Sequence, residues 1–295
     1  MKTITTDFEY LPATNVEEAL ELLSQYKDED YKVVAGGQSL NTMMKHRLIA
    51  PAFIIDIKGL TDLDYIKYDD QAGLKIGALT THRTLEKSPV IIEKYSVLSE
   101  MEENVASVET RNYGTVVGDL CNADPAADPA AVLIALDATL TIANSSETRT
   151  VAAEDFALDF YETHVQPGDM VTEIQIPVLP PNTGVFFTKY SQIHGDYALA
   201  SVSVLITLDS AKEKCVNARI GLAGVASTPI RAKKAEEILK GKTITDELIL
   251  EAAKMASEET SPITGIEASG EYKKELAGTL VKRVGKEALA RALKA

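Results

Sequence analysis

Between Val33 and Leu48 the chain reads VVAGGQSLNTMMKHRL: an apolar, strand-like run that stops at Gly36 and Gly37, passes through Gln38 and Ser39, and enters a basic, Met-rich, helix-like stretch. Two chemistries fit that pattern. Glycines supply the φ > 0 that a reversing strand requires, so the pair can be a plain turn. Residues without Cβ also let backbone N–H groups close on a phosphate near a helix start, so the pair can be an anion cradle. A second glycine-bearing stretch, GTVVGDLCNADPAAD from Gly114 to Asp128, raises the same choice. Neither is a P-loop, because GxxxxGK[ST] is absent, and neither carries GxGxxG after a strand. With no P-loop lysine beside it, a phosphate on the first stretch would depend on backbone N–H groups and the Ser39 hydroxyl. That donor set suits a diphosphate diester better than a phosphoryl group in transfer.

The other reactive side chains form no site by spacing alone. His46, His82, His164 and His194 are scattered with no HExxH, and His46 and His82 read as structural. Cys121 and Cys215 are far apart, which makes neither a disulfide framework nor a CxxC metal motif. If the chain handles electrons, it carries no evident metal cluster of its own. A formal net charge of -14 and a pI near 4.8 exclude nucleic acid as a partner, since no basic surplus exists to displace counterions. No run of about 18 apolar residues occurs, so no membrane span is predicted. The opening MKTITTDFEYLPATNVEEALELL is acidic and has no apolar h-region, so no signal peptide is expected and the cytoplasm is the expected compartment.

A chain of 295 residues exceeds what one core usually organises, so two or more domains are expected. ATNVEEALELLSQY is predicted as a helix capped by Asn15, with Val16, Ala19, Leu20 and Leu23 apolar at helical spacing. KVVA, AFIIDI (Ala52 to Ile57) and GLKIGALTT (Gly73 to Thr81) have strand composition, the last two separated by the polar KGLTDLDYIKYDDQA. The helical LSEMEENVAS leads into the second glycine stretch, expected as a turn-rich loop that enters the helix PAAVLIALD and the strand ATLTIA. After MVTEIQIPVLPPNTG, Pro177, Pro180, Pro181 and Gly184 form a linker, which places a boundary near residue 178. Beyond it, GVFFTKYSQI, ALASVSVLITLD and NARIGLAGVAS are three strand candidates. The helices PIRAKKAEEILKG, TDELILEAAKMASEE and GEYKKELAGTLVKRVGKEALARAL follow, which suggests an α+β tail domain.

VVAGGQSL together with RNYGTVVGDLCNADPAADPAAVLIALDATL resembles the FAD-binding (medium) subunit of the molybdenum hydroxylases, the xanthine dehydrogenase and carbon monoxide dehydrogenase family. GLKIGALTTHRTLEKSPVI, FFTKYSQIHGDYALASVSV and YKKELAGTLVKR fit the same pattern in the same order, so the resemblance covers essentially the whole chain. It implies an α+β fold: a PCMH-type, vanillyl-alcohol-oxidase-like FAD-binding domain over 1–178, with lobes of about 1–58 and 59–178. A smaller α+β C-terminal domain with a three-stranded sheet and helices would span 179–295. The resemblance also implies where the cofactor lies. Val33, Val34, Ala35, Gly36, Gly37, Gln38, Ser39 and Leu40 match the pyrophosphate loop, and Thr115, Val116, Val117, Gly118 and Asp119 match the second loop. Asp128 matches the acidic residue at the ribose hydroxyls. Met170 or Val171 matches a backbone contact to the isoalloxazine edge, and Lys189 and Tyr197 match the flavin-proximal lysine and the aromatic against the ring.

The second loop departs from the family pattern, with Val117 in place of a glycine and Asp119 in place of an asparagine. A β-branched residue holds φ > 0 poorly, so the loop is expected to differ there, and a carboxylate beside a diphosphate repels it unless Asp119 points away. Plainer readings stand beside these. Tyr197 can be a half-buried strand tyrosine, Lys189 a solvated lysine, Arg111 a surface salt bridge and Cys121 inert buried packing. The partners implied are a small iron-sulfur subunit with two [2Fe-2S] clusters and a large molybdopterin subunit, with NAD+ or another acceptor receiving the electrons. The chain would then be an oxidoreductase subunit with FAD bound noncovalently. The alternative is a stand-alone flavin oxidoreductase acting on its own small substrate.

Overall fold

The computed structural model describes residues 7–295. Its first lobe runs β1 (Glu9–Pro12), α1 (Val16–Gln25), β2 (Tyr31–Val34), α2 (Leu40–Lys45) and β3 (Phe53–Asp56). The strands form a parallel sheet in the order β1-β3-β2. Asn15 caps α1 by accepting from the Glu18 N–H, and Ala19 and Leu23, one turn apart, carry the helix's buried stripe. Val34 pairs with Asp56 at the ends of β2 and β3. The segment that follows Val34 therefore leaves from the carboxyl edge of a parallel sheet, where open α/β sheets form their ligand crevices.

The second lobe begins with the hairpin β4 (Ile66–Asp69) and β5 (Gly73–Gly77), and β4 lies inside the stretch read from sequence as a polar spacer. Six short helices follow: α3 (His82–Lys87), α4 (Pro89–Lys94), α5 (Ser96–Glu102), α6 (Val108–Tyr113), α7 (Val116–Asn122) and α8 (Asp128–Ala135). The chain then passes through β6 (Thr139–Ala143), β7 (Thr148–Ala152), α9 (Ala153–Phe156), β8 (Ala157–Asp159), β9 (Glu162–Thr163) and β10 (Met170–Ile176). A five-stranded antiparallel sheet results, in the order β4-β5-β10-β6-β7. The expected turn-rich loop is thus mostly helix. Ser107 and Thr115 each cap a short helix by accepting from the amide three residues on, which stabilises α6 and α7 where composition alone suggested a loop.

The last part holds β11 (Thr183–Tyr190), β12 (Ala200–Leu208), β13 (Cys215–Ala223), β14 (Ile230–Arg231), α10 (Lys233–Leu239), α11 (Asp246–Glu258) and α12 (Gly270–Lys294). Its antiparallel sheet has four strands; the two-residue β14 extends the three expected from sequence because Leu222 and Gly221 pair with Ile230 and Arg231. All nine residues of β12 are buried. One face, with Val202, Val204 and Ile206, shares a core with Val281, Val284 and Ala288 of α12. Leu205 on the other face joins the core of the preceding lobe. Gly221 shows how close the two parts lie: a Cβ there would stand 2.1 Å from the Ala131 carbonyl oxygen of α8. Arg219 completes the contact by donating to the Ile134 carbonyl at 3.2 Å and pairing with Asp137 at 2.7 Å, so it caps the end of α8.

Candidate functional site

A cavity of about 560 Å³ opens where the first lobe, the α3–α8 region and the β11–β12 hairpin meet. The segment from Val33 to Leu40 lines it, and so do Thr115, Val117, Gly118, Asp119, Asp128, Met170, Val171, Lys189 and Tyr197. Of the residues matched to the cofactor from sequence only Val116 does not. It is 1 % exposed, its side chain lies in the core, and its amide donates to the Thr80 carbonyl.

The glycine pair is explained by approach as much as by turning. A Cβ on Gly36 would lie 2.2 Å from the Tyr113 carbonyl oxygen and 2.7 Å from Gly114 Cα, so the first segment touches the second through bare backbone. Gly37 has φ +72°, the left-handed conformation that glycine adopts without penalty. Among the described residues, the amides of Gly36, Gly37, Gln38 and Ser39 have no intramolecular acceptor. They form a short row of donors beside the cavity.

The facing segment is held from behind. Thr115 pairs with Thr81 across an isolated bridge, and its hydroxyl accepts from the Gly118 N–H at 3.1 Å. Replacing Thr115 with alanine removes that cap and is expected to cost about 1 kcal/mol. A lowered denaturation midpoint, restored by serine, would check this. Val117 is helical and outside the left-handed region, so the departure expected from its β-branch is met by a helical turn. Asp119 faces the cavity, and burial raises its pKa while the neighbouring His82 opposes that rise.

Asp128 opens α8 and is 5 % exposed. Lys189 of β11 reaches its Oδ2 at 2.5 Å and also donates to the Asp196 carbonyl at 2.8 Å. Lys189 is therefore a buried partner of Asp128, not a solvated strand lysine. Burial pushes the Asp128 carboxyl up to about 7, against the opposing pull of Lys189. Its second oxygen, Oδ1, is buried without a partner among the described residues. Met170 and Val171 start β10 and are 3 % and 4 % exposed. The loop before them is tied to β2 by the Gly168 N–H, which donates to Tyr31 Oη at 2.9 Å. Tyr197 is 53 % exposed, in the β11–β12 hairpin rather than in a strand, and partial burial followed by the nearby Asp119 raises its phenol pKa.

Other readings of single residues are corrected. Arg111 is 6 % exposed and makes no surface pair. It bonds Glu86 at 3.0 Å and the Val105 carbonyl at 2.7 Å, which fixes the turn carrying Ala106 to the cavity wall. Cys121 is exposed and lines the cavity instead of packing in the core, and desolvation pushes its thiol up to about 12, which leaves it neutral and poorly nucleophilic. Tyr161 and His82 are among the lining residues that sequence reasoning missed. Tyr161, on the β8–β9 turn, donates to Asp124 Oδ2 at 3.0 Å. His82, read as structural, lines the cavity while its Nδ1 bonds Glu102 at 2.8 Å. The residues that reveal each role lie far off in sequence, so spacing carried no signal.

Known proteins resemble this chain over nearly its whole length. Residues 6–179 match the family described as FAD binding domain in molybdopterin dehydrogenase, and residues 186–288 match the CO dehydrogenase flavoprotein C-terminal domain. The chain is 36 % identical to the 6-hydroxypseudooxynicotine dehydrogenase complex subunit alpha of Paenarthrobacter nicotinovorans, over 97 % of this chain and 95 % of that one. It is 33 % identical to the carbon monoxide dehydrogenase medium chain of Afipia carboxidovorans, over 98 % and 99 %. A chain in the solved structure of carbon monoxide dehydrogenase from Hydrogenophaga pseudoflava lacking its Mo-pyranopterin moiety superposes with a TM-score of 0.93, at 34 % identity and over 98 % and 99 % of the two chains. No helix of the described residues is long and apolar enough to cross a membrane.

Proposed function

The chain belongs to the family of FAD-binding medium subunits of the molybdenum hydroxylases, and on that premise we propose that it is the electron-transfer subunit of a hetero-oligomeric dehydrogenase. It takes electrons from [2Fe-2S] clusters of a small partner subunit, which in turn draws on a large molybdopterin subunit. It delivers them to NAD+ or another acceptor. The observation that carries this reading is the row of unpartnered amides from Gly36 to Ser39, which faces Thr115 to Asp119 across one cavity. Glycine-rich backbone on one side, with Gly118 and the short Thr115 and Val117 side chains on the other, leaves room for a diphosphate diester to approach N–H donors.

The residues fit FAD by their donor chemistry. The Gly36–Ser39 amides and the Ser39 hydroxyl would hold the diphosphate from the first lobe, and Thr115, Val117 and Gly118 would close on it from the second. Asp128 offers its open Oδ1 as acceptor for sugar hydroxyls while Lys189 fixes its other oxygen. Met170 and Val171 would offer backbone to the isoalloxazine, and Tyr197 would supply an aromatic contact to it. When bound, FAD supplies a ring that exchanges one or two electrons and so joins one-electron carriers to a two-electron acceptor. The protein's part would be to position that ring between the lining residues, with the buried Met170 and Val171 as apolar wall.

The chain as purified should be yellow, with absorbance near ~450 nm from oxidised flavin. Colourless protein that takes up no added FAD overturns the proposal. Capture of the native complex from its host should bring down iron and molybdenum with this chain. Steady turnover of an organic substrate by the chain alone, with no such partners, would instead establish a stand-alone flavin oxidoreductase.

A further inference from the structure

We propose that His82 is a binding residue for the cofactor's diphosphate, with its Nε2–H presented at the junction of the two glycine-bearing segments, and that Glu102 is the positioning residue that holds its ring. This rests on the FAD reading above and adds a side-chain cation to a site so far built from backbone.

The geometry is local and specific. His82 donates its own backbone N–H to the Gly114 carbonyl at 2.9 Å. A Cβ built on Gly114 would lie 3.2 Å from His82 Cδ2 and 3.5 Å from Gln38 Cγ. The ring edge that carries Nε2 thus stands beside the point where the first segment meets the second. Nδ1 is committed to Glu102 Oε2, and among the described residues Nε2 has no protein partner. His82 is 3 % exposed but lines the cavity.

Glu102 gives the second observation. It is fully buried, its Oε2 has His82 as partner and its Oε1 has none among the described residues. A carboxylate buried so completely is tolerated when a cation stands against it. Burial raises the pKa of Glu102 and the His82 charge opposes that rise, so the ion pair, with the imidazole as cation, is the form in which Nδ1 and Oε2 keep a charge-assisted bond. The groups facing the ring are Glu102 from α5, Asp119 from α7 and Arg111 from α6. Burial lowers the affinity of the ring for its proton, but Glu102 and Asp119 outweigh burial and Arg111 and bring the imidazole to about 9.

The charge pattern of the cavity explains the need. Asp119, Asp128 and Asp169 all line it. Lys189 is committed to Asp128, and Arg149 to Asp169 at 2.5 Å. A diphosphate entering beside Asp119 meets a carboxylate, and His82 is the buried cation placed to offset it.

The test is FAD and riboflavin binding by the full chain, followed by flavin fluorescence in wild type, His82→Gln and Glu102→Gln. Wild-type affinity for FAD should fall as pH rises through about 9, because the cation is lost there. His82→Gln should bind FAD about 10- to 30-fold more weakly at neutral pH, with no pH slope in that range and with riboflavin affinity unchanged. Glu102→Gln should keep the slope but shift its midpoint down by more than about one pH unit. Wild-type chain that binds no FAD would defeat the functional reading itself. Wild-type binding with no difference in His82→Gln, or an equal loss for FAD and riboflavin, would overturn the inference alone. Should His82→Gln fail to fold, an unmoved midpoint in Glu102→Gln overturns it as well.

Discussion

Gly36→Ala is expected to leave the chain unable to retain FAD and less stable by about 3 kcal/mol, the upper end of what an added methyl group costs in a packed site. The new Cβ would fall 2.2 Å from the Tyr113 carbonyl oxygen, and backbone on both sides can yield only by separating the first lobe from the α6–α7 junction. That separation would pull the Gly36–Ser39 amides away from Thr115 and Gly118, so stability and binding fail together. Flavin content after purification and the denaturant midpoint measure the two effects. Gly265→Ala is the control, since nothing lies within 4 Å of a Cβ there, and it should change neither. A Gly36→Ala chain that still purifies yellow with an unchanged midpoint would show that the two segments are not in contact.

Lys189→Met should produce the largest pH-dependent loss. In the wild type, burial holds Asp128 at about 7 even with Lys189 against it, well above the ~3.9 of an unfolded chain. A carboxyl raised in this way contributes stability that is full below the unfolded value and is lost as pH rises through the folded one. In the wild type that loss ends near 7. Without the lysine the folded value rises further and the loss continues. The flavin-free variant should match the wild type within about 1 kcal/mol at pH 5 and fall behind by about 2 to 3 kcal/mol by pH 9. Adding Asp128→Asn should remove the difference in slope. Denaturant titrations at the two pH values decide it, and parallel curves would mean that the pair is not coupled.

Much of the architecture was legible because it follows from apolar patterning. Ala19 and Leu23 announce α1, and the runs of β12 and β13, rich in apolar and β-branched residues and buried along nearly their whole length, announce the C-terminal sheet. The α6–α7 region was not legible. Short helices of six and seven residues rest on side-chain caps from Ser107 and Thr115 and on packing, and neither leaves a long apolar period. Strands β1 and β4 were missed for a related reason: four residues each, β1 is mostly and β4 half exposed, and both are defined by their partners β3 and β5. The backbone part of the site was legible through Gly36 and Gly37, since glycine marks where chains approach. Its ionic part was not. His82 and Glu102 are twenty residues apart, and Asp128 and Lys189 sixty-one; only folding reveals that each pair shares a proton or a charge.

Lys189 has a consequence for how the protein can be divided. It lies beyond the proline-bearing connector between β10 and β11, yet it neutralises a carboxylate at the start of α8, and Arg219 of β13 caps the other end of the same helix. One short helix is thus clamped at both tips from across the connector. Neither fragment of a gene split at that point would assemble the holoprotein by itself, and flavin colour would return only when both were produced together.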